Sequence, residues 1–260
     1  CIRDRIIVVL MAIFGPMMCK YSYAEQNMSL RNASPSMDHW FGTDRMGRDI
    51  FVRILFGARI SLAVGCLAAV INLIVGTIYG GIAGYVGGKV DMVMMRIVDI
   101  IYSVPAMLYI VLIMLIFGAS VISIMLGISI TCWIDMARIV RQQVKSLKEQ
   151  EFTMAAFVLG ASPSRILIKH LLINTMGQII VTVTLMVPQA IFTEAWLSFL
   201  GVGISAPMAS WGTLAQDARQ LIMTYPMQTV YPMIAICITI FSFNFVGEGL
   251  EKALDPKRKR

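Results

Sequence analysis

Side chains able to do chemistry are few in this chain and widely spaced. Its two histidines, His39 and His170, belong to no HExxH motif, and its five cysteines include no CxxC pair. The chain has no GxxxxGK[ST] loop that could cradle the phosphates of a nucleotide. Its apolar runs contain no convincing carboxylate pair or Ser/His/Asp set. The sequence therefore predicts no catalytic residue, no metal site and no cofactor bound by this chain itself.

One ionisable residue is conspicuous because it interrupts an apolar run. This is Glu194, in a segment that also contains Pro188. A carboxylate at membrane depth is costly, so by default it marks a functional position. Two interpretations stay open. Glu194 could act at an outer gate or on a translocation path, or it could lie at the outer boundary and accept hydrogen bonds from nearby backbone.

The composition indicates the environment of these residues. Hydrophobic residues make up 58% of the 260 positions, charged residues 14%, and the mean hydropathy is +0.76. A soluble domain carries about 25% charged residues, so a polytopic membrane protein is indicated. A spanning helix needs about 20 apolar residues, which leaves room for about six spans. The first is predicted at Ile6–Met18, where a signal peptide is the alternative, although no small-residue cleavage site follows convincingly.

The remaining five spans follow from the apolar runs. Pro105 lies inside the third, where a kink is expected because proline frees a carbonyl group. At the inner ends, Arg96 and Asp99 can pair on one helical face, and Arg138 is available to Asp135. The predicted limits are Ile60–Ala83 for the second span, Phe117 for the end of the third, Arg138 for the end of the fourth, Leu171–Leu197 for the fifth and Val230–Val246 for the sixth.

Glycines recur at every fourth position from the second span onward: Gly76, Gly80, Gly84 and Gly88. Such a row lets another helix backbone approach closely. Helix packing is the favoured interpretation, and a groove that faces a substrate is the alternative on the same surface.

The distribution of positive charge predicts the orientation. The net charge is +7, and most of the 22 Lys and Arg residues fall on one side of the predicted spans. Cytoplasmic loops concentrate Lys and Arg, so both termini and the loop at residues 139–170 are expected in the cytoplasm. The basic tail, Lys257–Arg260, is expected beside anionic lipid and not on nucleic acid.

Residues 151–174 combine basic residues with small ones between two apolar runs. Phe157, Val158 and Leu159 give the stretch an apolar side, and Gly160 allows a turn. A short amphipathic element of this kind is suited to docking on another protein. The residues predicted to contact that protein are Glu151, at the start of the stretch, and the small residues of its centre, Ala155, Ala156, Gly160, Ala161 and Ser162.

This order of residues resembles the cytoplasmic coupling loop of permeases from ABC importers. Met154 stands where that family usually has Glu, and Ile173 stands where it usually has Pro. Residues 39–49 (HWFGTDRMGRD) and 194–203 (EAWLSFLGVG) resemble segments of the dipeptide and oligopeptide permeases. The resemblance implies an all-α fold of the type I (MetI-like) class, in the plasma membrane of a bacterium or archaeon. It also implies that the chain divides into residues 1–58, a first helix and an external loop, and residues 59–260, the transmembrane domain.

The same resemblance implies an assembly. Its other members would be a second homologous permease, two ATPase subunits that carry ATP and Mg, and an extracytoplasmic substrate-binding protein. The expected function is passage of dipeptides or oligopeptides, coupled to the ATPase through residues 151–174. Alternatives are the same role for nickel or another small solute, a carrier driven by an ion gradient, and a scaffold without transport.

Overall fold

The computed structural model describes Gly15, residues 19–204 and residues 208–254. The regular secondary structure of these residues is helical, without a β-strand; one isolated bridge joins Thr43 to Asp49, and Met28–Leu30 forms a turn of 3-10 helix. The helices, in chain order, are α1 (Ile50–Val86), α2 (Gly88–Ser103), α3 (Ala106–Phe117), α4 (Val121–Lys148), α5 (Glu151–Val158), α6 (Pro163–Phe199), α7 (Trp211–Arg219) and α8 (Pro226–Leu254).

The long helices account for most of the predicted spans. Helices α1, α4, α6 and α8 are each long and apolar enough to cross a membrane, and the bent pair α2–α3 makes a fifth span if it is counted as one. Of the predicted first span, Ile6–Met18, all residues but Gly15 lie outside the described part of the chain.

Several helix limits differ from the predicted ones. Helix α1 begins at Ile50 and not at Ile60, because the Asp49 side chain accepts a hydrogen bond from the Val52 N–H at 2.9 Å and caps the helix. Helix α4 continues to Lys148 instead of ending near Arg138. Hydropathy predicts only the apolar part of a helix, the part that contacts lipid. The helix itself continues as far as capping and packing stabilise it.

Pro105 breaks the third predicted span as expected, but more sharply than a kink. Helices α2 and α3 differ in direction by 76°. Val104, the residue before the proline, is extended, with φ −93° and ψ 127°. A proline disfavours helical backbone at the preceding residue and has no N–H to continue the hydrogen-bond ladder. We call residues 103–106 the elbow.

Three of the four spaced glycines bring α1 against α4. A Cβ atom on Gly80 would lie 2.2 Å from the carbonyl oxygen of Ala137, and one on Gly76 would lie 2.6 Å from Cβ of Met136. Gly84 meets the carbonyl oxygen of Arg141 in the same way, at 2.7 Å. Gly88 does not share this contact. It has a φ of +55° in the turn between α1 and α2, and an added Cβ would meet nothing within 4 Å.

We expect Gly80→Ala to lower the free energy of unfolding by about 1–3 kcal/mol, because its methyl group would overlap the α4 backbone. Gly81→Ala is the matched control. Its Cβ would find Leu172 at an ordinary 3.5 Å, and alanine favours a helix by about 1 kcal/mol over glycine. Thermal unfolding of both purified variants in detergent measures the difference. Equal midpoints would contradict the close approach of α1 and α4.

Candidate functional site

Helix α5 is fixed to the cytoplasmic ends of α4 and α6. The hydroxyl of Thr153 donates a hydrogen bond to the carbonyl oxygen of Leu147, at 2.8 Å, and Thr153 is buried. Ala156 is also buried, in an apolar cluster with Val144 of α4 and Ile166 of α6. The predicted docking element is therefore a short helix that is firmly attached to two spans.

A glycine turn ends α5. The N–H of Ala161 donates to the carbonyl oxygen of Ala156 at 3.1 Å, and the N–H of Gly160 donates to that of Phe157 at 3.0 Å. These two bonds form a Schellman motif, whose glycine adopts left-handed backbone. Gly160 has a φ of +77°. Pro163 then begins α6, so only a few residues separate the two helices.

The outer side of α5 is apolar and exposed. Phe157, Val158 and Leu159 are 72%, 83% and 86% exposed, and Met154 beside them is 59% exposed. We call these four residues the coupling surface. Exposure of such an apolar surface to water is unfavourable, so the surface is suited to contact with another protein.

The predicted coupling residues fall into two groups. Ala156 is buried and Ala161 half-buried, and both pack against their own chain. The residues that lie open on the same side of the membrane as the coupling surface are Glu151, Ala155, Gly160 and Ser162. Sequence reasoning did not include Met154 in the apolar side, although it precedes Phe157 by three positions and so shares its helical face.

Ion pairs tie α2 to α4 at the cytoplasmic side. Arg141 forms a two-bond pair with Asp91, which Lys145 also approaches at 3.3 Å. Arg138 contacts Asp99 at 3.0 Å. The two pairs predicted within one helix, Arg96 with Asp99 and Arg138 with Asp135, do not form among the described residues. Asp99 of α2 pairs with Arg138 of α4 instead, because the glycine contact brings α4 close to the α1–α2 hairpin.

A buried charge cluster joins the loop before α1 to α7. The Oδ2 atom of Asp44 lies 2.7 Å from Nε of Arg48 and 2.5 Å from Nη1 of Arg53. Both arginines also approach Asp217 of α7 at 3.3 Å. The arginines are only 4% and 2% exposed, so loss of a neutralising carboxylate would leave a buried charge without its partner.

Glu194 lies fully buried where α1, α6 and α7 meet. Its Oε2 accepts a hydrogen bond from the Ser61 hydroxyl at 3.0 Å and its Oε1 accepts one from Ser198 at 2.8 Å. The Ser61 oxygen in turn accepts from the N–H of Trp211, at 3.4 Å. The bonds to Glu194 thus come from hydroxyl groups of two helices and not from backbone.

A cavity of about 490 Å³ lies between the elbow and helices α1, α4 and α6. Polar side chains from each of these helices line it: Asn72, Asp135 and Gln189. Glu194 is not among the lining residues, although the preceding Thr193 is. Sequence reasoning missed the cavity, but the signal was present, because Asn72 and Asp135 are polar residues close to or within apolar runs, as Glu194 is.

The sequence profile of the binding-protein-dependent transport system inner membrane components matches residues 76–260. The chain belongs to this family. It is accordingly a multi-pass protein of the plasma membrane, and the predicted membership of the dipeptide and oligopeptide ABC permeases is confirmed by relatives of high identity.

Curated relatives cover nearly the whole chain. The oligopeptide transport system permease protein OppC of Bacillus subtilis is 51% identical over 255 residues, which are 98% of this chain and 84% of that protein. The dipeptide transport system permease protein DppC of the same organism is 47% identical, over 96% of this chain and 78% of its own length. OppC of Escherichia coli is 43% identical, with 98% and 86% covered.

A solved structure of the MetNI methionine ABC transporter, in inward-facing conformations, shares the fold of this family member. The TM-score is 0.63 at 17% identity, over 79% of this chain and 96% of that chain. The predicted all-α fold of a type I importer permease is therefore confirmed.

We expect Asp44→Asn to destabilise the protein by about 3–5 kcal/mol, because it leaves two buried guanidinium groups without their nearest carboxylate. Asp38→Asn is the control. Asp38 lies 3.9 Å from Lys20 with both side chains more than 70% exposed, and such a pair contributes about 1 kcal/mol or less. Chemical unfolding of the two purified variants compares them. A similar loss of stability in both would show that the cluster does not hold the outer loop.

Proposed function

We propose that this chain is the permease subunit of an ATP-driven importer of dipeptides or oligopeptides, and that it forms half of the translocation path. The observation that carries the proposal is its 51% and 47% identity, over nearly its whole length, to proteins named as oligopeptide and dipeptide permeases. The other half would come from a second, homologous permease. An extracytoplasmic binding protein would deliver the peptide and determine which solutes reach the path.

The energy would come from two ATPase subunits that bind ATP and Mg, docked on the coupling surface. The exposed apolar residues of α5 support this, because they offer a partner an area that water disfavours. Helix α5 is fixed to α4 and α6 by Thr153 and Ala156. A displacement of the coupling surface would therefore move both spans as rigid bodies and change the access to the cavity between them.

The coupling loop would be residues 139–170, within a transmembrane domain at residues 59–260 that residues 1–58 precede. Helix α1 begins at Ile50, so this division falls inside a helix. The first turn of α1 contains Arg53 of the buried charge cluster. The rest of α1 would belong to the translocation path.

Uptake by membrane vesicles that contain the whole complex tests the proposal. We expect ATP-dependent uptake of a labelled alanine tripeptide, and we expect Gly160→Asp to abolish it while the protein still inserts. Any side chain at Gly160 strains the turn by about 1–2 kcal/mol, and the aspartate adds a charge beside the coupling surface. The co-purified ATPase should also be lost from this variant.

Gly88→Asp is the matched control, because Gly88 also has positive φ and open space around it at a turn on the same side of the membrane. This variant should keep its uptake and its ATPase. Uptake at the normal rate by Gly160→Asp would refute the docking role. Absence of peptide uptake by the unaltered complex would refute the peptide assignment.

We also propose that Glu194 acts at the outer gate, by holding α6 to α1 through the Ser61 hydroxyl, whose oxygen also accepts a hydrogen bond from the Trp211 N–H of α7. The Ser198 hydroxyl, on α6 itself, donates to the other carboxylate oxygen. A carboxylate accepts both bonds, whereas Glu194→Gln presents one oxygen and one NH₂ group to the same two serines. We expect this variant to assemble but to transport more slowly, as measured by peptide uptake per complex. An unchanged rate together with unchanged assembly would remove the gate role.

A further inference from the structure

The cavity between the elbow and helices α1, α4 and α6 is lined by one buried polar side chain with an oxygen left unpaired by the described residues, Asn72, and by two exposed polar side chains, Asp135 and Gln189. Asn72 is only 1% exposed, and its Oδ1 has no hydrogen-bond donor. Asp135 and Gln189 also line the cavity, and their side chains form no ion pair or hydrogen bond with other residues in the part of the chain that the structure describes. A buried polar atom without a hydrogen-bond partner destabilises the folded protein. A ligand that forms a hydrogen bond with this atom removes that cost, which favours binding.

Asp135 lies within α4, one of the helices long and apolar enough to cross a membrane. It is about 20 Å along the helix from Val121, at a rise of about 1.5 Å per residue. An ionisable residue within such a helix is rare, and it pairs with another charged group or marks the pathway of a substrate or ion.

The basic side chains of α4 near Asp135 form ion pairs with other carboxylates. Arg138 contacts Asp99 at 3.0 Å and lies 4.4 Å from the ring centre of Tyr102. Arg141 and Lys145 both pair with Asp91. The carboxylate of Asp135 is therefore available to a cation that comes from outside the chain.

We propose that Asp135 binds the N-terminal ammonium group of the transported peptide, while Asn72 and Gln189 bind its amide groups. This rests on the proposed function. Every unmodified peptide has an ammonium group and backbone amides, whatever its sequence, and side-chain amides can both donate to and accept from a peptide unit.

The size and remaining surface of the cavity fit this ligand. Its volume of about 490 Å³ lies within the range of about 300–1,000 Å³ for small-molecule sites and accommodates a short peptide. Ile110, Ile128 and Met186 provide apolar walls, which accept different side chains because apolar contact has no directional requirement. The site thus recognises the ammonium and amide groups that all peptides share, and it tolerates different side chains.

The test is ATP-driven uptake of an alanine tripeptide by proteoliposomes that contain the complete complex, with binding protein in excess. Asp135→Asn removes the charge at constant size and should lower uptake per complex by about tenfold or more, the usual effect of losing a charged hydrogen bond. Asp135→Glu should restore most of the rate. Glu251→Gln, which removes an exposed carboxylate of α8 away from the cavity, should have no effect.

The outcomes separate this site from the function on which it rests. Normal uptake by Asp135→Asn, or an equal loss in Asp135→Glu, would overturn the ammonium site while peptide transport stood. Loss of assembly or of basal ATP hydrolysis in Asp135→Asn would also overturn it, because the carboxylate would then be pairing with another subunit. No peptide uptake by the unaltered complex would instead refute the proposed function.

Discussion

The close contact between α1 and α4 is the constraint on which the rest of the structure depends. Gly80 allows the α1 backbone to approach within contact distance of the Ala137 carbonyl group, where any larger residue would hold the two helices apart. In a membrane this contact is stabilised by packing, because lipid is as apolar as the side chains that it replaces. The contact sets Asn72 of α1 and Asp135 of α4 on the same cavity.

Charged groups complete the two ends of the bundle in different ways. At the outer end, Asp44 and Asp217 neutralise two buried arginines, so the loop before α1 and helix α7 form one unit. At the cytoplasmic end, Asp91 and Asp99 of α2 pair with partly exposed basic residues of α4. The pairs at the cytoplasmic end are more exposed to water, where exchange of partners costs less than it does in the buried outer cluster.

Between these ends lies the cavity, where the buried Oδ1 atom of Asn72 has no hydrogen-bond partner in the described part of the chain. Helix α5 is attached to the ends of α4 and α6 through Thr153 and Ala156, and both spans continue to the cavity. The proposed coupling and the proposed peptide site are thus joined by two continuous helices. A displacement of α5 would therefore be carried along α4 and α6 to the cavity.

The sequence by itself determined the local properties: the spanning character of the apolar runs, the break at Pro105, the glycine turn at Gly160 and the family motifs. Each depends on neighbours in the chain, through hydropathy, backbone restriction or caps. Only the tertiary structure decided that Asp99 pairs with Arg138 and that Asn72 and Asp135 line one cavity, because these depend on which helices lie side by side. The spacing of residues along one helix predicts which charges on that helix can pair. It does not show whether a residue of the facing helix, such as Arg138 for Asp99, lies closer.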